Sequence, residues 1–102
     1  MKALEEVRSQ LSSGSFDFSR HALRRVVERN ISDFEIMQAG LHAVVIEEYP
    51  EDKYSPSCLI LGFTQSKRPL HIQVSLAETS LVRIITIYEP SPSEWIDYSR
   101  RR

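Results

Sequence analysis

Ser57-Cys58-Leu59-Ile60-Leu61-Gly62-Phe63-Thr64, the connector Gln65-Ser66-Lys67-Arg68, and Pro69-Leu70-His71-Ile72-Gln73-Val74-Ser75-Leu76 form the stretch from which the fold is read. Two runs rich in β-formers flank a short polar connector, the pattern of an antiparallel hairpin. Pairing Thr64 with Pro69 sets Phe63 against Leu70, Leu61 against Ile72 and Leu59 against Val74, an apolar face expected to be core. The same register sets Gly62 beside His71 and Ile60 beside Gln73 on the opposite face, where the glycine leaves room around the imidazole.

Downstream, Leu81 to Tyr88 follows the short connector Ala77-Glu78-Thr79-Ser80. Pairing Leu76 with Leu81 assigns Ile85 and Ile87 to the core and brings Thr86 and Tyr88 beside His71. Upstream, Ala43 to Tyr49 precedes the proline-bounded loop Pro50 to Pro56, and Glu47 shares the His71 face if Ile46 pairs with Leu59. The expected sheet is therefore a four-stranded antiparallel meander. One face is aliphatic, and the other holds His71, Gln73, Ser75, Thr86 and Tyr88. Pro90 and Pro92 end the meander, and Ser93 to Tyr98 is expected to form a short C-terminal helix that caps the core with Trp95.

The half preceding the sheet has helical periodicity. Leu4, Val7, Arg8 and Leu11 recur at helical spacing until Ser12-Ser13-Gly14-Ser15, and Phe16-Asp17-Phe18 then alternates briefly. Ser19 is placed to cap a helix that ends near Asn30, a residue tolerant of the left-handed conformation. Ser32-Asp33-Phe34-Glu35 has the form of a capping box, with Ile31 positioned to staple against Ile36 and Gly40 near the helix end. The expected class is α+β, with N-terminal helices on the meander.

At 102 residues and 41% hydrophobic content, the chain fits one domain over residues 1–102. No run approaches the roughly 20 apolar residues of a membrane span, and Met1-Lys2-Ala3-Leu4-Glu5-Glu6 lacks an export signal's apolar core, so a cytoplasmic protein is expected. Cys58 is the one cysteine and lies among apolar strand neighbours, which makes it a small buried hydrophobe. The three histidines have no metal-site spacing, and neither a metal nor a cofactor is expected. A formal charge of -1 argues against a nucleic-acid coat protein, but the charge is unevenly distributed. Acids concentrate in Glu47, Glu48, Glu51 and Asp52, while bases concentrate in Lys67, Arg68, Arg83 and the Arg100-Arg101-Arg102 tail.

In the capped helix that follows Ser19, His21, Arg25 and Arg29 are spaced four residues apart and climb one side as a stripe. An ordinary solvated face with snorkelling stems has the same spacing. At the border of the apolar arc formed by Ala22, Leu23, Val26 and Val27, however, such a stripe can line a cleft where helix meets sheet, and one imidazole with two guanidiniums suits a phosphate.

Across its length the chain resembles the bacterial domain of unknown function family 4258. The matching segments are Phe18-Ser19-x-His21-Ala22-x-x-Arg25-x-x-x-Arg29-x-Ile31-Ser32, Val45-Ile46-Glu47-Glu48-Tyr49-Pro50, Cys58-Leu59-Ile60-Leu61-Gly62, Arg68-Pro69-Leu70-His71, and Ile87-Tyr88-Glu89-Pro90 with Trp95. Members resemble the RelE-like and BrnT-like toxins of bacterial type II toxin–antitoxin modules, and many are encoded beside a small zinc-ribbon protein of antitoxin type. The resemblance implies helices on a small antiparallel sheet, RNA and a cognate antitoxin as partners, and a metal-independent endoribonuclease (mRNA interferase), free or on the ribosome. A non-catalytic RNA- or protein-binding module of the same fold is the alternative.

In RNA the 2′-hydroxyl beside the scissile phosphate is the nucleophile, so the protein need only move protons and offset charge. His71 is the expected proton-transfer group, Tyr88 a phosphate orienter or acid, and His21 a second proton-transfer or helix-ordering group. Arg25 and Arg29 are expected to stabilise charge, and Arg20, Arg24, Lys67 and Arg68 to contact the RNA backbone.

Overall fold

The computed structural model describes residues 1–102. Helix α1 (Leu4–Ser12), strand β1 (Phe16–Phe18), helix α2 (Arg20–Arg29) and helix α3 (Asp33–Leu41) precede strands β2 (Val44–Tyr49), β3 (Ser57–Phe63), β4 (Pro69–Ser75) and β5 (Val82–Tyr88). The chain ends in a two-stranded hairpin, β6 (Trp95–Ile96) and β7 (Arg100–Arg101). No helix is long and apolar enough to cross a membrane.

The helix signals act as their chemistry predicts. The Ser19 hydroxyl accepts from Ala22 N at 3.0 Å, and Asn30 closes α2 with φ of 54°. At α3, Ser32 Oγ accepts from Glu35 N at 3.1 Å while Glu35 Oε1 accepts from Ser32 N at 3.0 Å, a complete capping box.

The main sheet has the order β1-β5-β4-β3-β2, which makes it five-stranded and mixed rather than a four-stranded antiparallel meander. Strands β2 to β5 do form the meander. The addition is β1, which runs parallel to β5 with Phe16 opposite Val82 and Phe18 opposite Ile84. The alternation at Phe16-Asp17-Phe18 was therefore a strand, too short to show by periodicity and paired with a strand far away in sequence.

Registers differ from expectation on both sides of β4. Leu61 lies opposite His71, Ile60 opposite Ile72 and Gly62 opposite Leu70, one residue from the predicted β3–β4 pairing. Cys58, Ile60 and Gly62 therefore face the helices with Leu70, Ile72 and Val74, while Leu59 and Leu61 share the outer face with His71 and Gln73. Gly62 makes no room for the imidazole. It admits α3, because a Cβ built on it would lie 2.0 Å from the Ala39 carbonyl oxygen. A bulge after Gln73 shifts the β4–β5 pairing, so that Ile84 and Ile87 are buried while Ile85 moves to the outer face.

The core lies between sheet and helices, where Val7, Leu11, Ala22, Ile36 and Ala39 meet Ile60, Leu70, Ile72, Val74, Val82, Ile84 and Ile87. Trp95 is buried, but not as the cap of a helix. It enters the β6–β7 hairpin, which lies on the opposite side of the sheet from the helix-facing core, against His71. That cover explains why β3 is apolar on both faces: Leu59 and Leu61 are only 2% and 7% exposed despite pointing outward.

Candidate functional site: the outer face of the sheet

The outer face carries Glu47 and Tyr49 from β2, His71, Gln73 and Ser75 from β4, and Thr86 and Tyr88 from β5. The expected grouping of His71, Gln73, Ser75, Thr86 and Tyr88 is present, with His71 directly opposite Tyr88 and Gln73 opposite Thr86. Glu47 also reaches this face. A bulge between Val45 and Glu47 places it opposite Leu59, where the sequence reading had Ile46.

The face has a covered half and an open half. In the covered half His71 is fully buried. Its Nδ1 lies 3.1 Å from the Tyr88 hydroxyl, its Nε2 lies 2.5 Å from the Tyr98 carbonyl oxygen, and its ring meets Trp95 edge-on at 4.4 Å. A carbonyl can only accept, so Nε2 donates and Nδ1 accepts from Tyr88. Burial lowers the His71 pKa, outweighing the opposite pull of the Tyr98 carbonyl and Glu47. Burial also raises that of Tyr88. Alongside, Arg101 donates to both Glu47 oxygens at 2.7 and 3.1 Å, and the Tyr49 hydroxyl donates to the same carboxylate. Arg101, with help from Tyr49, holds the Glu47 carboxyl below its usual range despite partial burial. Burial and the neighbouring carboxylate push Tyr49 up to about 12.

The open half is a cavity of about 790 Å³ between the start of α2, the outer faces of β4 and β5, and the loop from Asp52 to Ser55. His21, Lys53, Arg83, Gln73, Ser75 and Thr86 contribute to its wall. His21 is exposed and makes no hydrogen bond within the protein. Lys53 has no carboxylate partner, although its ammonium lies 5.4 Å from the Tyr54 ring centroid. Arg83 pairs with Asp17 at 3.1 Å, and the one acid in the wall, Asp52, accepts from Ser57 Oγ at 2.6 Å and Gln73 Nε2 at 3.3 Å. An accessible imidazole beside an ammonium, a guanidinium and hydroxyls is equipped to hold a phosphodiester and exchange one proton with it.

The predicted stripe meets this cavity only at His21. Arg25 pairs with Glu28 at 3.0 Å, and Arg29 is exposed outside the cavity wall, as are Arg20 and Arg24. His21 and His71 thus share one face of the protein, while Arg25 and Arg29 do not join His71 around a common pocket. Lys67 is exposed in the β3–β4 turn with φ of 72°. All three Arg68 nitrogens donate within the protein: to Glu89 at 2.7 Å, to Glu35 at 3.0 Å, and to the Asn30 and Arg29 carbonyls at 3.1 and 2.9 Å. Glu89 foremost, then Glu35, raises the Arg68 pKa, so it is a structural clamp.

Sequence reasoning missed Lys53 and Arg83 as cavity residues and Arg101 as the partner of Glu47. Strand parity could have supplied Arg83 once the β5 bulge was known, but nothing local signals that Lys53 folds back over the sheet. Cys58 is buried, and burial, with a smaller contribution from Glu48, pushes its thiol up to about 11. His42 is exposed at the C-cap of α3. No three His, Cys, Asp or Glu side chains converge as metal ligands would.

Residues 18–89 match the family described as a domain of unknown function (DUF4258), and the chain belongs to that family. No curated protein and no solved structure matches it.

Proposed function

We propose that this protein is the toxin component of a type II toxin–antitoxin module, a metal-independent endoribonuclease acting in the cytoplasm on RNA laid across the outer sheet face. The observation that carries the reading is His21, an imidazole without a protein partner in a cavity that also presents Lys53 and Arg83. The scissile phosphate enters there. His21 exchanges the proton of the 2′-hydroxyl or of the leaving 5′-oxygen, and Lys53 and Arg83 offset the charge that grows on the phosphorus-bound oxygens. Arg20, Arg24 and Arg29 line the approach along α2 and contact flanking phosphates, a role that needs only exposure and positive charge, and Arg25 joins them by exchanging Glu28 for a phosphate. The resemblance of the family motifs to RelE-like and BrnT-like toxins supports the same reading, which expects a cognate antitoxin of zinc-ribbon type as partner.

One observation favours a second reading. A general acid and a general base are both wanted, yet the cavity offers one imidazole while His71 is sealed, which suits a module that binds RNA or protein without cleaving it. The two readings separate when a single-stranded RNA oligonucleotide is incubated with the protein in chelator, with and without ribosomes. The ribonuclease reading expects products ending in 2′,3′-cyclic phosphate and a loss of about 100-fold or more in rate for His21→Ala. Binding without product under both conditions supports the module.

A further inference from the structure

His71, Tyr88, Glu47 and Tyr49 gather four titratable groups on one patch of sheet; His71 is fully buried, the other three are partly exposed, and the β6–β7 hairpin lies over the imidazole. Trp95 and the Tyr98 carbonyl cover the imidazole at 4.4 and 2.5 Å, and Tyr98 meets Phe63 edge-on at 6.2 Å. The remaining fastening is charged: Arg101 bridges to Glu47 of β2, while its stacking 4.6 Å over the Trp95 ring is internal to the hairpin.

The hairpin's backbone–backbone bonds are internal. Arg102 N donates to the Glu94 carbonyl at 3.0 Å and Arg102 Nε to the Pro92 carbonyl at 2.8 Å, so its two ends hold each other rather than the sheet. Its turn places Asp97 and Tyr98 consecutively in the left-handed region, with φ of 52° and 59°. The loop has three residues, Asp97, Tyr98 and Ser99, and consecutive left-handed positions favour Asn and Gly, so tyrosine there has a conformational cost that the contacts beneath must offset. Strands of two residues do not hold a hairpin together in water, and this one keeps its position through the groups it covers.

We infer that the β6–β7 hairpin is a strap over a latent half of the RNA site, and that lifting it adds His71 and Tyr88 to the cavity that holds His21. The two halves are continuous. His71 and Gln73 are neighbours on the outer face of β4, about 7 Å apart along the strand, and Gln73 already lines the open cavity. Resting on the ribonuclease reading above, the inference supplies the missing second proton-transfer group. One imidazole takes the 2′-hydroxyl proton as the O2′–P bond forms. The other gives a proton to O5′ as the P–O5′ bond breaks, leaving a 2′,3′-cyclic phosphate and a 5′-hydroxyl.

The test uses Arg101→Ala, an exposed substitution that removes the charged link from the hairpin to Glu47. Diethyl pyrocarbonate modification, located by mass spectrometry, reads the accessibility of each histidine, with exposed His21 and His42 as internal references. His71 is expected to react about fivefold faster in Arg101→Ala, the population change that one exposed ion pair can control, with His21 and His42 unchanged. Cleavage of a single-stranded RNA oligonucleotide should rise by a similar factor and fall back when His71→Gln is added. An unchanged His71 rate overturns the strap, and a cleavage gain that survives His71→Gln overturns the latent half. Faster His71 modification with no RNA cleavage by either protein supports the strap and overturns the ribonuclease reading instead.

Discussion

With its Nε2 proton on the Tyr98 carbonyl and its Nδ1 accepting from Tyr88, His71 is held in the closed protein as one neutral tautomer. Its pKa is lowered from an ordinary 6.5, chiefly because burial disfavours the charged ring. The native state therefore binds fewer protons than the unfolded chain as pH falls below 6.5, so the stabilisation is complete above that value and is lost as pH falls toward the lowered one. Glu47 and Glu35 are lowered from 4.5 and contribute their own loss only at more acid pH. Urea unfolding between pH 7.5 and 5.5 should show stability falling by up to about 1.4 kcal/mol per pH unit, and His71→Gln should flatten that slope. An unchanged slope in the variant would mean that His71 is not the group responsible. The residue type was legible in the sequence, and so was its neighbour Tyr88. Its burial was not, because burial depends on a hairpin more than twenty residues downstream.

Among the elements, the helices were the most legible because their start and stop signals are local: the hydroxyls of Ser19 and Ser32 reach their own first turns, and Asn30 adopts its own left-handed turn. Strands were legible as strands, but register was not. Both flanking bulges, at Val45/Glu47 and Gln73/Val74, change parity without a glycine or proline to announce them. The C-terminal hairpin was read as a helical turn because its loop, Asp97-Tyr98-Ser99, has no glycine or asparagine to mark the left-handed positions. Arg68 joins several elements at once, bonding the C-terminal carbonyls of α2, Glu35 of α3 and Glu89 beyond β5. Arg68→Ala should therefore cost about 2 kcal/mol in urea unfolding, between the values of exposed and buried ion pairs. Arg68→Lys should recover little, since an ammonium cannot span those acceptors, and RNA affinity of the folded protein should change far less than stability.

At the scale of the molecule, the sheet divides the labour. The helix side contains the 15-residue core, while the outer side contains the polar cavity, the strap and both His21 and His71. Of the acids behind the net charge of -1, Asp52 is in the cavity wall and Asp17 pairs with Arg83 beside it, while Glu47 is neutralised by Arg101 and Glu35 by Arg68. The unpaired cation of the cavity wall is Lys53, and the proposed RNA contact is expected to depend on it. If the outer face is the working face, titrating isotope-labelled protein with a single-stranded RNA oligonucleotide should shift the amides of His21, Lys53, Gln73, Arg83 and Thr86, and the shifts should weaken as salt is raised. Changes confined to α1, α3 and the free edge of β2, with the cavity residues silent, would contradict that reading.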